Sequence, residues 1–373
     1  MSKITKYALS DLYEMSSGIS STKEQAGHGA PFVSFGTVFN NYFLPDELPD
    51  LMDTNEKEQE IYSIKAGDVL ITRTSETIDE LAMSCVATKD YPRATFSGFT
   101  KRLRPKKEGI AYPKYMAFYF RSDLFRKAVT NNAFMTLRAS FNEDIFTFLD
   151  VFLPDYDEQV RIGDMLYAVE CKIQKNKEIN DYLEQQALLI FRYMFKNISN
   201  GSNHVGDYIT PKRGKALLSK DAIPGQFPVI AGGLLPATYH NRANTVAPVL
   251  TISGSGANAG YVNIWHDPIW SSDSSFIDYE MTTNVYFWYA FLKLRQQDIF
   301  DIQTGSAQPH IYPKHIAELS IGNMDRFQIA SYITQVTPLF TKAGANIRET
   351  KRLQQLRDWL LPMLMNGQVT IED

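Results

Sequence analysis

Residues 157–195 read DEQVRIGDMLYAVECKIQKNKEINDYLEQQALLIFRYMF, and their apolar spacing decides the fold. Leu166, Val169, Ile173, Asn176, Asn180, Leu183, Ala187, Ile190 and Met194 follow one another at alternating steps of three and four. A helix turns once every ~3.6 residues, so this spacing lines one face with a seam that stays turned toward a partner helix. Asn176 and Asn180 sit within the seam, where a polar residue costs stability and fixes register. A second such stretch closes the chain over residues 325–365. It offers Ile329, Ile333, Val336, Phe340, Ala343, Ile347 and Thr350, then Leu353, Leu356 and Leu360. The step from Thr350 to Leu353 falls one short of the expected position 354, which reads as a three-residue stammer that overwinds the coil. Pro338 lacks a backbone donor and predicts a kink or a restart, and Gly344 weakens the same stretch. Rods of about forty residues would run ~60 Å at ~1.5 Å per residue, and packing them antiparallel buries both seams.

Outward from the rods, the rest of the chain is also stated twice. Leu9-Ser10-Asp11-Leu12 and the run Gly18-Ile19-Ser20-Ser21-Thr22-Lys23 return as Val205-Gly206-Asp207-Tyr208 and Gly214-Lys215-Ala216-Leu217-Leu218-Ser219-Lys220. Phe32-Val33-Ser34-Phe35-Gly36 returns as Phe227-Pro228-Val229-Ile230-Ala231-Gly232, and Gly67-Asp68-Val69-Leu70-Ile71 as Ala247-Pro248-Val249-Leu250-Thr251. Each copy passes through short strands and a helix before entering its rod, the pattern of an α+β head. The boundaries expected are a first head over 1–154, a first spacer helix over 155–198, a second head over 199–322, and a second spacer helix with its tail over 323–373.

Bulk properties exclude more than they assign. The 373 residues suffice for two cores, and 44% of them are hydrophobic. Cys85 and Cys171 are the only cysteines, too few for a disulfide framework. No stretch approaches the eighteen or so apolar residues of a membrane span, and the N-terminus leads into no signal-like apolar run, so a cytoplasmic protein is expected. The formal charge of −4 gives the chain as a whole no attraction to a polyanion.

Chemistry is sparse. Ser253-Gly254-Ser255-Gly256-Ala257-Asn258-Ala259-Gly260 follows a strand, but its glycines miss the dinucleotide-binding spacing by one. Another strand-like run comes next, where a phosphate site needs a helix, so a hairpin is expected. No Walker motif and no N-P-P-[YF] segment occurs, the six histidines are scattered, and no metal site or catalytic residue is assigned. The features that suit nucleic acid are polar and basic side chains on loops. Arg73, Thr74 and Ser75 follow the Val69–Ile71 run, where the second copy has Ser253, Ser255 and Asn258. Arg reads guanine bidentately, and Asn or Gln reads adenine. Lys101, Arg102, Arg104, Lys106 and Lys107 would position phosphates, as would Lys212, Arg213 and Lys215 with Tyr239, His240 and Arg242 nearby. Arg138 and Gln308 occupy equivalent turns ahead of the two rods.

This layout resembles the specificity subunit of type I restriction-modification enzymes. The resemblance spans essentially the whole chain and rests on the duplicated head-plus-helix plan. Local segments add to it: Phe227-Pro228-Val229-Ile230-Ala231-Gly232-Gly233, Gly305-Ser306-Ala307-Gln308-Pro309-His310-Ile311 and Leu356-Arg357-Asp358-Trp359-Leu360-Leu361-Pro362-Met363-Leu364-Met365. It implies two target-recognition heads separated by a long antiparallel two-helix coiled coil, each head reading half of a split, asymmetric site on double-stranded DNA. It also implies two methyltransferase subunits and motor-nuclease subunits as partners. S-adenosylmethionine, ATP and Mg would belong to those partners, with no cofactor in this chain and no catalysis by it. The alternative is a protein-interaction adaptor with a coiled-coil scaffold and no DNA readout, which the negative charge favours.

Overall fold

The structure is a computed structural model, and it describes residues 4–75, 77, 80–132, 139–305 and 308–371. The chain divides into two units, residues 1–174 with 351–373 and residues 175–350, so each unit holds one head and part of both long helices.

The first unit is built on β1 (Thr5–Ala8), β2 (Tyr13–Ser17), β3 (Ala26–Val33), β4 (Asp50–Met52), β5 (Val69–Thr72), β6 (Thr74–Ser75), β7 (Ser84–Val86), β8 (Thr95–Phe96), β9 (Thr100–Pro105), β10 (Ala139–Ser140) and β11 (Asp150–Leu153). Its main sheet runs β2-β9-β5-β7, beside a smaller β4-β3-β8 sheet and the β1-β11 and β6-β10 pairs. The apolar run of β5 is buried on both faces, as a central strand between two packed layers requires. Val69 and Ile71 face one core with the helix Pro113–Tyr119, while Leu70 alternates to a second core with Val33, Cys85 and Phe96.

The second unit repeats the plan with β12 (Asn203–His204), β13 (Lys212–Arg213), β14 (Phe227–Ile230), β15 (Thr238–His240), β16 (Val249–Ser253), β17 (Val262–Trp265), β18 (Trp270–Ser271), β19 (Ser274–Asp278) and β20 (Ser320–Ile321). The main sheet β13-β19-β16-β17 and the smaller β15-β14-β18 match the first unit strand for strand, including one parallel pair in each smaller sheet. β16 and β17 pair antiparallel across residues 253–260, so the glycine-rich run is the expected hairpin. Helix Val285–Leu294 packs on this sheet as its counterpart does in the first head.

The two long helices are Tyr156–Met194 and Arg326–Met365. Within each unit their segments pair antiparallel. In the first unit Ile162 and Leu166 share a core with Leu361, Leu364 and Met365, and the Arg357 guanidinium donates to the Glu170 carboxylate at 2.7 Å. In the second, Ala187, Phe191 and Phe195 pack with Tyr332, Val336 and Phe340. There Asn176 donates to Glu349 at 2.9 Å, and Asn180 donates to the Ala343 carbonyl at 3.2 Å while accepting from Asn346 at 2.9 Å. Both seam asparagines thus take register-setting partners on the facing helix.

The second seam corrects three expectations. Ile347 and Leu356 are 47% and 44% exposed, and the inward positions belong to Asn346 and Arg357 instead. Ala343, Thr350, Arg357 and Leu364 lie seven apart, as do Asn346, Leu353 and Leu360, and all are buried or half-buried. A regular heptad therefore continues past Thr350, and there is no stammer. The helix does not restart at Pro338, whose ring lies on the exposed side, where a missing backbone bond is most cheaply met by water. Gly344 has a positive role as well: a Cβ there would stand 2.8 Å from the Cβ of His266, so glycine permits the helix to approach this head.

Candidate nucleic-acid interface

Equivalent backbone hydrogen bonds in the two heads converge on one corner of each main sheet. The Gly18 N–H reaches the Thr100 carbonyl in the first head, and the Gly214 N–H reaches that of Ser274 in the second. Ile19 donates to Phe96, and Lys215 to Ser271, both at 2.9 Å. Ser97 donates to Val33 at 3.0 Å, and Ser272 to Ile230 at 2.7 Å. Arg73 donates to the carbonyl of Phe99 at 2.8 Å, and Gly254 to that of Asp273 at 3.0 Å. Phe141 closes the first corner onto the Arg73 carbonyl, as Ile311 closes the second onto Gly254. Each corner thus joins the end of the first sheet strand, a turn into its neighbour, the extension after the central strand, and the segment that precedes the long helix.

On this shared frame the side chains differ. In the first corner Arg73 is exposed, and the Phe99 ring, 64% exposed, lines a hollow with it beside Ser20, Ser21 and Thr74. Lys101, buried along its stem, donates to the Ser17 hydroxyl at 2.9 Å. Burial, and after it the charge of Arg73, pull the Lys101 ammonium below its usual pKa. In the second corner the Arg213 guanidinium donates to one oxygen of Asp273 and the Ser255 hydroxyl to the other. Lys215 is exposed next to them, its carbonyl accepting from the Trp270 indole N–H at 2.8 Å. The first corner therefore presents an exposed cation and an aromatic ring beside the buried Lys101, the second an oriented carboxylate between a cation and a hydroxyl.

The corners collect Arg73, Thr74, Ser75, Lys101, Arg213, Lys215, Ser253 and Ser255 from the residues picked out by sequence. Ser75 and Ser253 are buried there, Ser253 donating to the Gly232 carbonyl at 2.8 Å. Asn258 is half-buried in the hairpin after β16, and Gln308 is exposed one residue before Pro309, whose carbonyl accepts from the Gly256 N–H. Arg138 lies outside the described residues.

The 101–107 cluster is not one basic patch. Successive residues of β9 point to opposite faces, so Arg102 and Arg104 turn away from Lys101. Arg102, buried, donates to the Ser63 carbonyl at 2.5 Å, and Arg104 pairs with the buried Asp68 at 2.6 Å, so both guanidinium groups are turned into the head. Lys106 and Lys107 are exposed beyond the end of that strand, and Lys106 donates to the Ser10 carbonyl at 2.7 Å. Lys212 is exposed on β13. His240 is buried, its Nδ1 accepting from the Ile223 N–H at 3.0 Å, which leaves it no outward face. Tyr239 is exposed beside it, and Arg242 lies over the Trp270 ring, 5.7 Å from its centroid. Sequence reasoning missed Phe99 and Asp273. The turn carrying them is Ser97-Gly98-Phe99 in one head and Ser272-Asp273 in the other, one residue shorter, and that offset hides their equivalence.

Residues 1–185 match the family model described as the type I restriction modification DNA specificity domain. No curated protein matches the sequence. Among solved structures the chain is similar to the type I restriction-modification system S subunit from M. genitalium, at 17% identity and a TM-score of 0.62, over 97% of this chain and 96% of that one. That likeness shows a common fold. A structure described as showing complex assembly and conformational transition of the type I R-M system matches at 13% identity and a TM-score of 0.42, over 98% of each chain. The HsdS subunit from Thermoanaerobacter tengcongensis matches at 14% identity and a TM-score of 0.37, over 98% of this chain and 97% of that one.

Proposed function

We propose, from the match of residues 1–185 to the type I restriction modification DNA specificity domain, that the whole chain is a noncatalytic DNA-recognition subunit with two reading heads. The heads span 1–154 and 199–322, with spacer helices over 155–198 and 323–373, and each head reads one half of a bipartite, asymmetric target. The observation that carries this reading is the pair of corners: one backbone frame stated twice, with unlike side chains on it. A common frame docks two heads on duplex DNA in the same way, and different side chains at base edges select different half-sites. Arg73, Thr74, Arg213, Lys215, Ser255, Asn258 and Gln308 are the base-facing candidates. Lys106, Lys107 and Lys212 are the phosphate-facing ones.

Partners follow from the outer faces of the helices. In the second unit Ile179, Tyr182, Leu189 and Tyr193 are exposed at steps of three, seven and four, and Tyr193 is 77% exposed. In the first unit Leu356 and Trp359 are exposed on the other long helix, with Met363 half-exposed beyond them. A shift of 170 positions sets Leu189 on Trp359 and Tyr193 on Met363, so the two stripes correspond at these two positions. Apolar stripes left in water at heptad spacing mark interaction faces. Two apolar stripes, one in each unit, fit two copies of one partner, here the methyltransferase subunit, with motor-nuclease subunits joining that assembly. S-adenosylmethionine, ATP and Mg belong to those partners in this reading.

Mapping DNA methylation in a host with and without this chain tests the proposal. Expected is a split motif with two unlike halves, modified only when the chain is present. An unchanged methylation pattern, together with no DNA binding at low salt by the chain and its methyltransferase, would favour the adaptor reading that the net charge of −4 supports.

A further inference from the structure

Asp273 stands where Phe99 stands in the first head, at the centre of the second corner, and a carboxylate there opposes DNA phosphates. Stability does not account for it. Its pair with Arg213 is more than one-third exposed on both sides, and such pairs contribute little to folding. The surroundings are nonetheless built around it. Arg213 donates to Oδ1, the Ser255 hydroxyl donates to Oδ2, and the turn backbone is held by the Gly254 N–H on the Asp273 carbonyl at 3.0 Å. Gly254 occupies the place of Arg73, and a Cβ there would come within 2.8 Å of Oδ1, so the missing side chain makes room for the carboxylate.

An ionised carboxylate offers about four lone-pair sites, of which these two bonds use one on each oxygen. What remains is a fixed acceptor at the surface, with its charge partly offset by Arg213. Major-groove edges offer it two donors, the amino groups of cytosine and adenine. Adenine sets its N7 acceptor beside its amino group, which would face the same carboxylate and repel it; cytosine does not. We infer that Asp273 is a specificity-determining residue of the second head, accepting a hydrogen bond from the amino group of a cytosine, with Ser255 and Arg213 as its positioning residues. The inference rests on the DNA-recognition reading above.

The test is methylome mapping in a host carrying the full chain with its own partner subunits, as wild type, Asp273→Asn and Ser255→Ala. Asp273→Asn is expected to relax a single cytosine position in one half-site by about 5- to 150-fold, leaving the other half unchanged. Ser255→Ala, which frees the carboxylate to rotate, should relax the same position by less. Thermal unfolding of each purified chain checks that it folds. Should Asp273→Asn fail that check, Ser255→Ala carries the test. A motif preserved at every position, relaxation at a base other than cytosine, or equal loss in both halves overturns the role of Asp273. A wild-type chain that directs no sequence-specific methylation overturns the DNA-recognition reading itself.

Discussion

The two units share strand order, hydrogen-bond frame and helix pairing, yet they solve the same local problems with different chemistry. The first corner carries Arg73, Lys101 and Phe99, and the second carries Asp273 between Arg213 and Ser255. Where the helices meet, the first unit uses a charged pair, Glu170 with Arg357, and the second uses amides, Asn176, Asn180 and Asn346. Backbone geometry is thus the constant of the duplication, while side chains at corner and seam vary freely because neither is needed to close the sheets. In the proposed reading, a module that reads two different sequences keeps its docking and changes its contacts.

The largest contrast expected lies in the seams. Arg357→Ala leaves the Glu170 carboxylate, 7% exposed, with the Gln174 amide but without its charge partner, and should lower stability by about 3–5 kcal/mol, whereas Asn346→Ala in the amide layer should cost about 1–3. Urea unfolding measures both, and equal losses would erase the distinction between charged and amide layers. Next comes a proton-linked difference confined to the second unit. Burial holds the His266 pKa down at about 4, with Asp267 opposing and Arg348 adding to the effect, so the ring is neutral in the fold. The unfolded chain, titrating near 6.5, binds the proton first. Stability is therefore full above about 6.5 and falls as pH drops toward 4, by on the order of 3 kcal/mol. Unfolding midpoints across that window should shift in wild type and shift less in His266→Gln.

Reciprocal substitutions at the corners sharpen the comparison further. Gly254→Arg copies the first corner into the second, but its Cβ would crowd Asp273 and Arg213, so a loss of about 1–3 kcal/mol in stability is expected. Arg73→Gly should leave stability within a few tenths of a kcal/mol beyond the backbone effect of glycine, and relax one base pair of the first half-site by about 1–3 kcal/mol. If Arg73→Gly instead weakens binding to all sequences equally, Arg73 is a phosphate contact and the two corners are not both readers. The smallest effect belongs to Lys106→Ala, which should lower the salt slope of binding by about 1 without altering sequence choice.

How far the primary structure led can be judged at particular residues. The duplication and the antiparallel pairing of the seams within each unit are readable, because apolar periods of two and near three and a half record burial directly. The apparent stammer was an artefact of the same rule. Ile347 and Leu356 are apolar and took the place of Asn346 and Arg357, which go inside because each finds a partner. Arg73 and Ser255 stand out as polar groups on loops and Arg213 as one at a strand end, but Arg102, Arg104 and His240 look just as available and are turned inside the heads.

By itself the sequence determined two homologous heads and two helical seams, since local propensity and hydrophobic periodicity act along the chain and leave their record there. Only the tertiary structure decided which polar side chains remain for a partner. That choice depends on strand register, on which face of β9 a residue takes, and on a one-residue difference between two turns, all of which arise between segments far apart in the chain. Pairing Phe99 with Arg73, and Asp273 with Arg213 and Ser255, is a property of the folded sheet corner, where backbone hydrogen bonds bring distant residues within a few ångströms.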